Sequence, residues 1–251
     1  MSATSRAAIA LFVMVWGFAA GAIAGELKVL SAAAVQVPVT EAAEQFTRDT
    51  GHRVSFEFAT AGQVDERLAA GARPDIVISS TGRIAARTSG NAADVAAVRD
   101  LGTVRIGVAA RKGAARPDLS TVAKFREVLV RAESVAYGDP ARGATTGIHF
   151  SRIVDQLDLR AVLAPKTILA ANGLDVAQKV ARGDVELGIT QVSEILHVDA
   201  AAYVGRLPDA LQLATTYAAW VPDPANANAR LFVEAMTSRQ GRERFRAAGF
   251  D

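Results

Sequence analysis

Strand-like and helix-like segments alternate through the first third of this chain, and that alternation limits the fold most strongly. Strand periodicity is clearest at Val54, Phe56 and Phe58, which alternate with polar residues. Two more strands are predicted at Leu27–Leu30 and Asp75–Ser79. The helical segments between the strands end at Gly51 and Gly71. Strands separated by helices at this spacing predict βαβ units and a parallel sheet in an α/β protein.

The rest of the chain continues the pattern. Further strands are predicted at Val104–Ala109, Ser134–Tyr137, Val185–Thr190 and Tyr217–Val221. Further helices are predicted at Leu119–Ala132, Gly147–Leu157, Leu174–Ala181 and Ala227–Ala248. The chain has no repeat and no flexible linker. Periodicity alone leaves two arrangements open, one large domain or two lobes that share strands.

The N-terminus has the three parts of a secretory signal peptide. Arg6 supplies the basic start, Ala7–Ala20 is almost wholly apolar, and Ala22-Ile23-Ala24 is a small-residue exit. The alternative is a membrane anchor, but the apolar run is shorter than the roughly 20 residues that span a bilayer. We expect residues 1–24 to be removed after Ala24 and the mature protein to be periplasmic.

Composition excludes several kinds of function. With no cysteine, disulfides, thiolate zinc sites and cysteine nucleophiles are excluded. The three histidines (His52, His149, His197) lack ligand spacing, so neither a metal site nor a cofactor is predicted. Without residues 1–24 the chain has 27 basic and 26 acidic side chains, which predicts no nucleic-acid partner.

Four predicted strand-to-helix junctions consist of small residues: Ser31–Ala34, Thr60–Gly62, Gly143–Gly147 and Ala171–Gly173. Each would present unpaired backbone N–H groups at a helix N-terminus, where the helix dipole favours an anion. Small residues also make ordinary tight turns. Because ligands of open parallel sheets sit beyond the carboxyl ends of the strands, the four junctions together favour an anion site.

The loop Asp139–Gly147 offers the most chemistry, with the hydroxyls of Thr145 and Thr146 and the guanidinium of Arg142. A guanidinium suits the planar fork of a carboxylate, although arginine is also common on solvated loops. No phosphate-binding loop, dinucleotide fingerprint, nucleophile elbow or HExxH motif is present.

Several blocks match one family in order and spacing. They are KVLSAAA and EAAEQF within Lys28–Phe46, FATAGQVDERLAAGARPDIVISS at Phe58–Ser80, YGDPARGATTGIHF at Tyr137–Phe150, LGITQVSE at Leu187–Glu194, VGRLPDALQ at Val204–Gln212, and the terminal RFRAAGFD. The chain resembles the periplasmic molybdate-binding proteins of ABC importers from about Glu26 to Phe250. The resemblance implies a type II periplasmic-binding-protein fold, two α/β lobes joined by a hinge of two crossover strands. It assigns 25–105 plus 205–251 to the first lobe and 106–204 to the second.

The same resemblance implies a monomer that binds a small anion between the lobes and delivers it to an inner-membrane ABC permease. The ligand residues it suggests are Ser31, Ala34, Thr60, Ala61 and Gly62 in the first lobe, and Arg142, Thr145, Thr146, Asn172 and Gln191 in the second. The family has a serine at the position of Ala34, a serine-rich turn where this sequence has Thr60-Ala61-Gly62, and a tyrosine at the position of Gln191. Those losses, with Arg142 added, favour an organic carboxylate or another oxyanion over molybdate.

An enzyme is the alternative function, because periplasmic aconitate isomerase resembles this same structural family. An isomerase of a tricarboxylate needs a base near the abstracted proton. The candidates are Glu194, His149 and Tyr137, each of which also has an ordinary packing or capping role. A binding protein needs none of them.

Overall fold

The computed structural model describes residues 25–199 and 201–251, so the predicted signal peptide lies outside the described residues. In that part of the chain nine strands form: β1 Glu26–Ala32, β2 Arg53–Ala59, β3 Ile76–Ser80, β4 Val98–Arg111, β5 Val135–Gly138, β6 Thr167–Ala170, β7 Leu187–Gln191, β8 Ala201–Arg206 and β9 Ala214–Trp220. None of the helices among these residues is long and apolar enough to cross a membrane.

The same residues form eleven α-helices: α1 Gln36–Thr50, α2 Ala61–Ala69, α3 Thr81–Thr88, α4 Ala92–Ala96, α5 Val122–Arg131, α6 Thr145–Gln156, α7 Arg160–Leu163, α8 Gly173–Arg182, α9 Val192–Leu196, α10 Ala227–Thr237 and α11 Arg239–Ala247. Short 3-10 turns precede α1 and α6, at Ala33–Val35 and Pro140–Arg142. Two more lie at Ala164–Lys166 and Asp209–Leu211.

One mixed sheet connects all the strands in the order β2-β1-β3-β9-β4-β7-β5-β6, with β8 paired to β4. Strands β1, β2 and β3 are parallel to each other, as are β5, β6 and β7. The long strand β4 is antiparallel to its neighbours and belongs to both halves: Val98–Arg105 pairs with β9, and Ile106–Arg111 pairs with β7 and β8. The chain therefore passes from the first half of the sheet to the second inside β4, and it returns to the first half between β8 and β9.

Each half of the sheet has its own apolar core. In the first half, α1, α10 and α11 pack Phe46, Phe232 and Phe245 against β1, β3 and β9. In the second half, Phe125 and Phe150 lie in a separate core. Opposite faces carry smaller clusters under α2 and α8. Helices thus cover both faces of each half, as parallel strands require.

Local signals set several helix ends, and Gly51 ends α1 as the sequence predicts. Gly51 and Gly183 adopt φ values of 77° and 80° and end α1 and α8 in the left-handed conformation that glycine tolerates. Thr60 caps α2 in a reciprocal capping box with Gln63, and Thr121 caps α5.

The single helix predicted over Ala227–Ala248 is wrong. Ser238 is extended, with ψ of 169°, and separates α10 from α11. Its hydroxyl accepts a hydrogen bond from the Gly241 N–H at 3.1 Å, which starts α11 as a new helix. Helices α3, α4 and α9 and strand β8 were not predicted from the sequence. Residues 162–169 divide between α7, a 3-10 turn and β6.

Candidate functional site

A small polar cavity lies between the two halves of the sheet, at the carboxyl ends of β1, β2, β5, β6 and β7. Its volume is about 40 Å³, a few times the roughly 10–15 Å³ that one water molecule needs. The wall consists of Ala32, Ala33, Ala34, Ala59, Thr60, Ala61, Gly138, Ala144, Thr145, Thr146, Asn172, Gly173, Thr190, Gln191, Glu194 and Tyr217. This is the position where open α/β sheets bind ligands.

Helix N-termini from both halves meet at this cavity. The first turns of α2, α6, α8 and α9 contribute wall residues, as does the 3-10 turn that leads into α1. The first N–H groups of a helix have no partner within the helix, and the dipole makes that end positive. No lysine, arginine or histidine belongs to the wall formed by the described residues. The arrangement suits an anion held by backbone donors and hydroxyls.

Hydrogen bonds between the two halves surround the cavity. The Thr60 hydroxyl donates to the Arg142 carbonyl, and the Gly62 N–H donates to the Gly143 carbonyl at 3.2 Å. On the opposite side the Ser193 hydroxyl donates to the Ala34 carbonyl at 2.8 Å. A Cβ at Gly62 would lie 2.6 Å from the Gly143 Cα, so this approach requires glycine. The structure is therefore closed over the cavity.

Glu194 brings a carboxyl group into the wall. It is the third residue of α9, and its Oε2 accepts hydrogen bonds from Thr190 Oγ1 at 2.5 Å and from the Gln191 N–H at 3.3 Å. Burial raises the pKa of Glu194 above its ordinary value, and these two hydrogen bonds offset part of that rise. The group can therefore hold or accept a proton close to a ligand.

Tyr217 and Gln191 form a buried pair at the junction of the halves. The Gln191 Nε2 atom donates to the Tyr217 hydroxyl oxygen at 3.0 Å, which joins β7 to β9. Burial raises the pKa of Tyr217 far above its usual range, and the nearby Glu194 adds to the rise. Tyr217 consequently stays protonated at neutral pH.

Most of the ligand residues suggested by the sequence lie in the cavity wall. These are Ala34, Thr60, Ala61, Thr145, Thr146, Asn172 and Gln191, together with the base candidate Glu194. The Asn172 side chain accepts from the Asp175 N–H at 2.9 Å and caps α8. Sequence reasoning missed Thr190 and Tyr217, because both lie in strands whose pattern signals only burial.

Three suggested ligand residues lie outside the wall. Ser31 is fully buried in β1, where its hydroxyl donates to the Ala32 carbonyl at 3.1 Å. Gly62 does not line the wall and lies against the backbone of Gly143. Arg142 is exposed, and its backbone carbonyl, not its guanidinium, takes part in the contact between the halves.

The other two base candidates also lie outside the wall and have structural partners. His149 Nε2 donates to the Leu211 carbonyl at 2.9 Å. The Tyr137 ring packs edge-on against Phe150, with 5.0 Å between ring centroids. Of the three candidates, the structure brings only Glu194 to the cavity.

Comparisons with known proteins place the chain in a family. A family model described as bacterial extracellular solute-binding protein matches residues 27–251. An aconitate isomerase from Pseudomonas sp is 34% identical over 202 residues, covering 76% of this chain and 73% of that protein. The molybdate-binding protein ModA of Escherichia coli (strain K12) is 26% identical over 229 residues, covering 90% of this chain and 89% of ModA.

The fold is shared with solved binding proteins. The Azotobacter vinelandii periplasmic molybdate-binding protein superimposes with a TM-score of 0.71 at 20% identity, covering 90% of this chain and 98% of that structure. This likeness, with the sheet order and the double crossing, confirms the predicted type II periplasmic-binding-protein fold. The chain belongs to the bacterial extracellular solute-binding protein family.

Proposed function

We propose that this protein is the periplasmic substrate-binding component of an ABC-type importer and that it closes around a small oxyanion. The observation that carries the proposal is that helix N-termini from both halves meet at one cavity, and that no basic side chain from the part of the chain that the structure describes lines its wall. Such a cavity supplies several backbone donors to a desolvated anion. A permease partner is proposed from the family, since the relatives include molybdate-binding proteins.

The sequence places the lobe boundaries at 25–105 plus 205–251 and 106–204. The first boundary is supported by strand pairing, because β4 changes its partner from β9 to β7 and β8 between Arg105 and Ile106. At the return crossing Arg206 still pairs with Gly107, and Leu207 and Leu211 pack in the core of the second half, so we propose that the chain re-enters the first lobe between Leu211 and β9. We propose that β4 and the segment before β9 act as the hinge.

The dimensions and donors of the cavity favour a tetrahedral oxyanion over a large carboxylate. A volume of about 40 Å³ suits an ion of few heavy atoms. Arg142, the residue that favoured a carboxylate, has an exposed side chain that lies outside the wall. The hydroxyls of Thr145 and Thr146 and the backbone N–H groups at the starts of the wall helices are the proposed ligand contacts, since the Thr60 hydroxyl already donates to the Arg142 carbonyl.

Isomerisation of a tricarboxylate is the second candidate function. It is favoured by the Glu194 carboxyl group in the wall and by the 34% identity to an aconitate isomerase. Glu194 would be the base, because it is the base candidate that reaches the cavity. A tricarboxylate would require the two lobes to close less tightly than in this structure.

Thermal unfolding of the mature protein tests the two candidates. Molybdate, tungstate, sulfate, phosphate, citrate and cis- and trans-aconitate are each added at millimolar concentration. A ligand at 100 times its Kd stabilises the protein by about 2.7 kcal/mol, which raises the Tm by roughly 5–10 °C at this size. We expect a shift with one or more tetrahedral oxyanions. A shift with the tricarboxylates alone, together with interconversion of cis- and trans-aconitate, would replace this function with the isomerase.

Export to the periplasm has its own test. We propose that the chain is secreted and cut after Ala24, in keeping with its family. Sequencing the N-terminus of protein recovered from the periplasm is expected to begin at Gly25. Protein that keeps Met1 and fractionates with the membrane would mean that residues 1–24 are an anchor.

A further inference from the structure

An acidic side chain is an unusual member of a cavity built for an anion. Glu194 is the one acidic residue in the wall formed by the described residues, and its Oε2 is held by Thr190 and the Gln191 N–H. A Cβ at Gly173 would overlap that same Oε2, so the carboxyl group is pressed against the backbone at the start of α8. Its position is fixed on several sides, and it cannot simply swing away when an anion enters.

Among residues 25–199 and 201–251, no lysine, arginine or histidine lines the wall beside this carboxyl group, and Arg83, whose charge reaches Tyr217, is paired with Asp65. The elements that pack most closely against α9 are β4, β7, β8, α8 and the 3-10 turn before α1, and Gly249 after α11 also lies against Val192 and Leu196. Their charged or titratable side chains include Arg105, Arg111, Asp175, Lys179, Tyr203 and Arg206, none of which belongs to the wall. Asp175 and Lys179 pair with each other at 3.4 Å, and Arg206 pairs with Asp251 at 3.6 Å. Tyr217, the other titratable group of the wall, stays protonated.

An ionised Glu194 would therefore face a bound anion with no positive side chain between them. Two like charges at one site cannot both remain ionised without a large loss of affinity. A single proton between the two oxygens removes the repulsion and adds a charge-assisted hydrogen bond. The burial that raises the pKa of Glu194 acts in the same direction.

On the basis of the anion-binding function proposed above, we propose that Glu194 and the bound oxyanion share one proton, so that the cavity admits an oxyanion only together with a proton. An anion that is fully deprotonated at neutral pH, such as molybdate or sulfate, binds as Glu194 takes one proton from solvent. An anion that carries its own O–H, such as hydrogen phosphate, donates it to the ionised carboxylate. No other bond is made or broken.

The pH dependence follows from linkage. A neighbouring anion raises the pKa of Glu194 above its value in the free protein, so protons are taken up in the pH range between those two values. In that range the Kd for molybdate or sulfate rises about tenfold for each pH unit. Below the range Glu194 is already protonated, and affinity no longer depends on its titration. Hydrogen phosphate brings its own proton and lacks this dependence at pH 8.

Calorimetric titration measures the proton directly. Wild-type protein is titrated at pH 8 with molybdate, sulfate and phosphate in buffers of different ionisation enthalpy, and the dependence of binding enthalpy on buffer counts the protons exchanged. We expect about one proton taken up with molybdate or sulfate and about none with phosphate. If only phosphate binds at pH 8, the result also supports the proposal, because molybdate and sulfate carry no proton of their own to share with Glu194.

Two variants assign the proton. Glu194→Gln keeps the α9 capping box and is expected to remove proton uptake and to tighten molybdate or sulfate binding at least tenfold at pH 8. Glu44→Gln removes a carboxylate that is 65% exposed on α1 and is expected to change neither quantity. If Glu194→Gln does not fold, the proton number and pH series of the wild type still decide.

Three results would overturn the inference. Molybdate or sulfate binding at pH 8 without proton uptake would do so and would leave the oxyanion function intact. Uptake that persists in Glu194→Gln would assign the proton to another group. Failure of all three anions to bind at any pH from 5 to 8 would overturn both the inference and the proposed oxyanion function.

Discussion

Replacing Gly62 by alanine is expected to weaken anion binding by about tenfold to 100-fold without destabilising the protein. The added Cβ would lie 2.6 Å from the Gly143 Cα across the junction of the two halves, and the atoms it meets are backbone. Overpacking of this kind costs about 1–3 kcal/mol, and every 1.4 kcal/mol lost from the closed form is a factor of about ten in Kd. The open form has no such contact and becomes favoured.

The stability of the Gly62→Ala protein should change little or rise. Gly62 lies in the first turn of α2, and alanine is a better helix former than glycine by roughly 0.5–1 kcal/mol. A loss of binding without a loss of stability would separate closure from folding. Urea unfolding measures stability, calorimetry measures Kd for the oxyanion that shifts the Tm, and small-angle X-ray scattering follows closure without any ligand.

Gly82→Ala is the matched control. Gly82 occupies the first turn of α3, is exposed, and has no atom within 4 Å of the place where a Cβ would stand. This variant should bind anions as the wild type does and should have the wild-type radius of gyration with and without ligand. If Gly62→Ala binds as tightly as Gly82→Ala, the contact between Gly62 and Gly143 is not needed for closure.

Replacing Gly147 by alanine is expected to destabilise the whole protein by about 3 kcal/mol or more. Gly147 lies in the first turn of α6, and its Cβ would overlap the carbonyl oxygen of Gly138 at the end of β5. Neither backbone can yield unless α6 moves off the sheet, which places the change at the upper end of overpacking costs. The same packing brings Thr145 and Thr146 to the cavity.

Urea or thermal unfolding measures this second effect. At about 2–4 °C for each kcal/mol in a protein of this size, the Tm should fall by roughly 6–12 °C. Gly82→Ala again serves as the control, since it adds the same methyl group to a first helical turn with open space around it. A Tm within about 2 °C of the wild type would show that α6 can shift away from β5 at little cost.

The elements that the sequence predicted correctly are those whose signals are local. Gly51 ends α1, as predicted, because it adopts a positive φ. Thr60 and Thr121 carry signals of the same local kind, since their hydroxyls accept from N–H groups three residues on. These interactions involve neighbours in the chain and can be predicted from spacing. The break at Ser238 was missed although its signal is also local, because Ser238 is a favourable N-cap residue and the stretch between Met236 and Phe245 is polar.

Some residues of the candidate site could be predicted from local patterns, and others could not. Small residues at strand ends pointed to Ala34, Ala61, Thr145 and Asn172, since a strand-to-helix junction is a local pattern. Tyr217 was read only as part of a strand, because nothing in its neighbourhood indicates that β9 returns beside β4. Arg142 was expected to contact the ligand, yet its carbonyl is what contacts Thr60.

The sequence by itself determined the class of fold, the order of most strands and helices, and the small-residue loops that carry helix N-termini. These depend on periodicity and capping over a few residues, and on the order of blocks shared with a family. Only the tertiary structure decided which of those loops meet. Thr60 and Arg142 lie 82 residues apart in the chain, and Glu194 comes to the cavity through the packing of α9 against α8 and β4. Contacts at such separations depend on strand order and register, which no local pattern specifies.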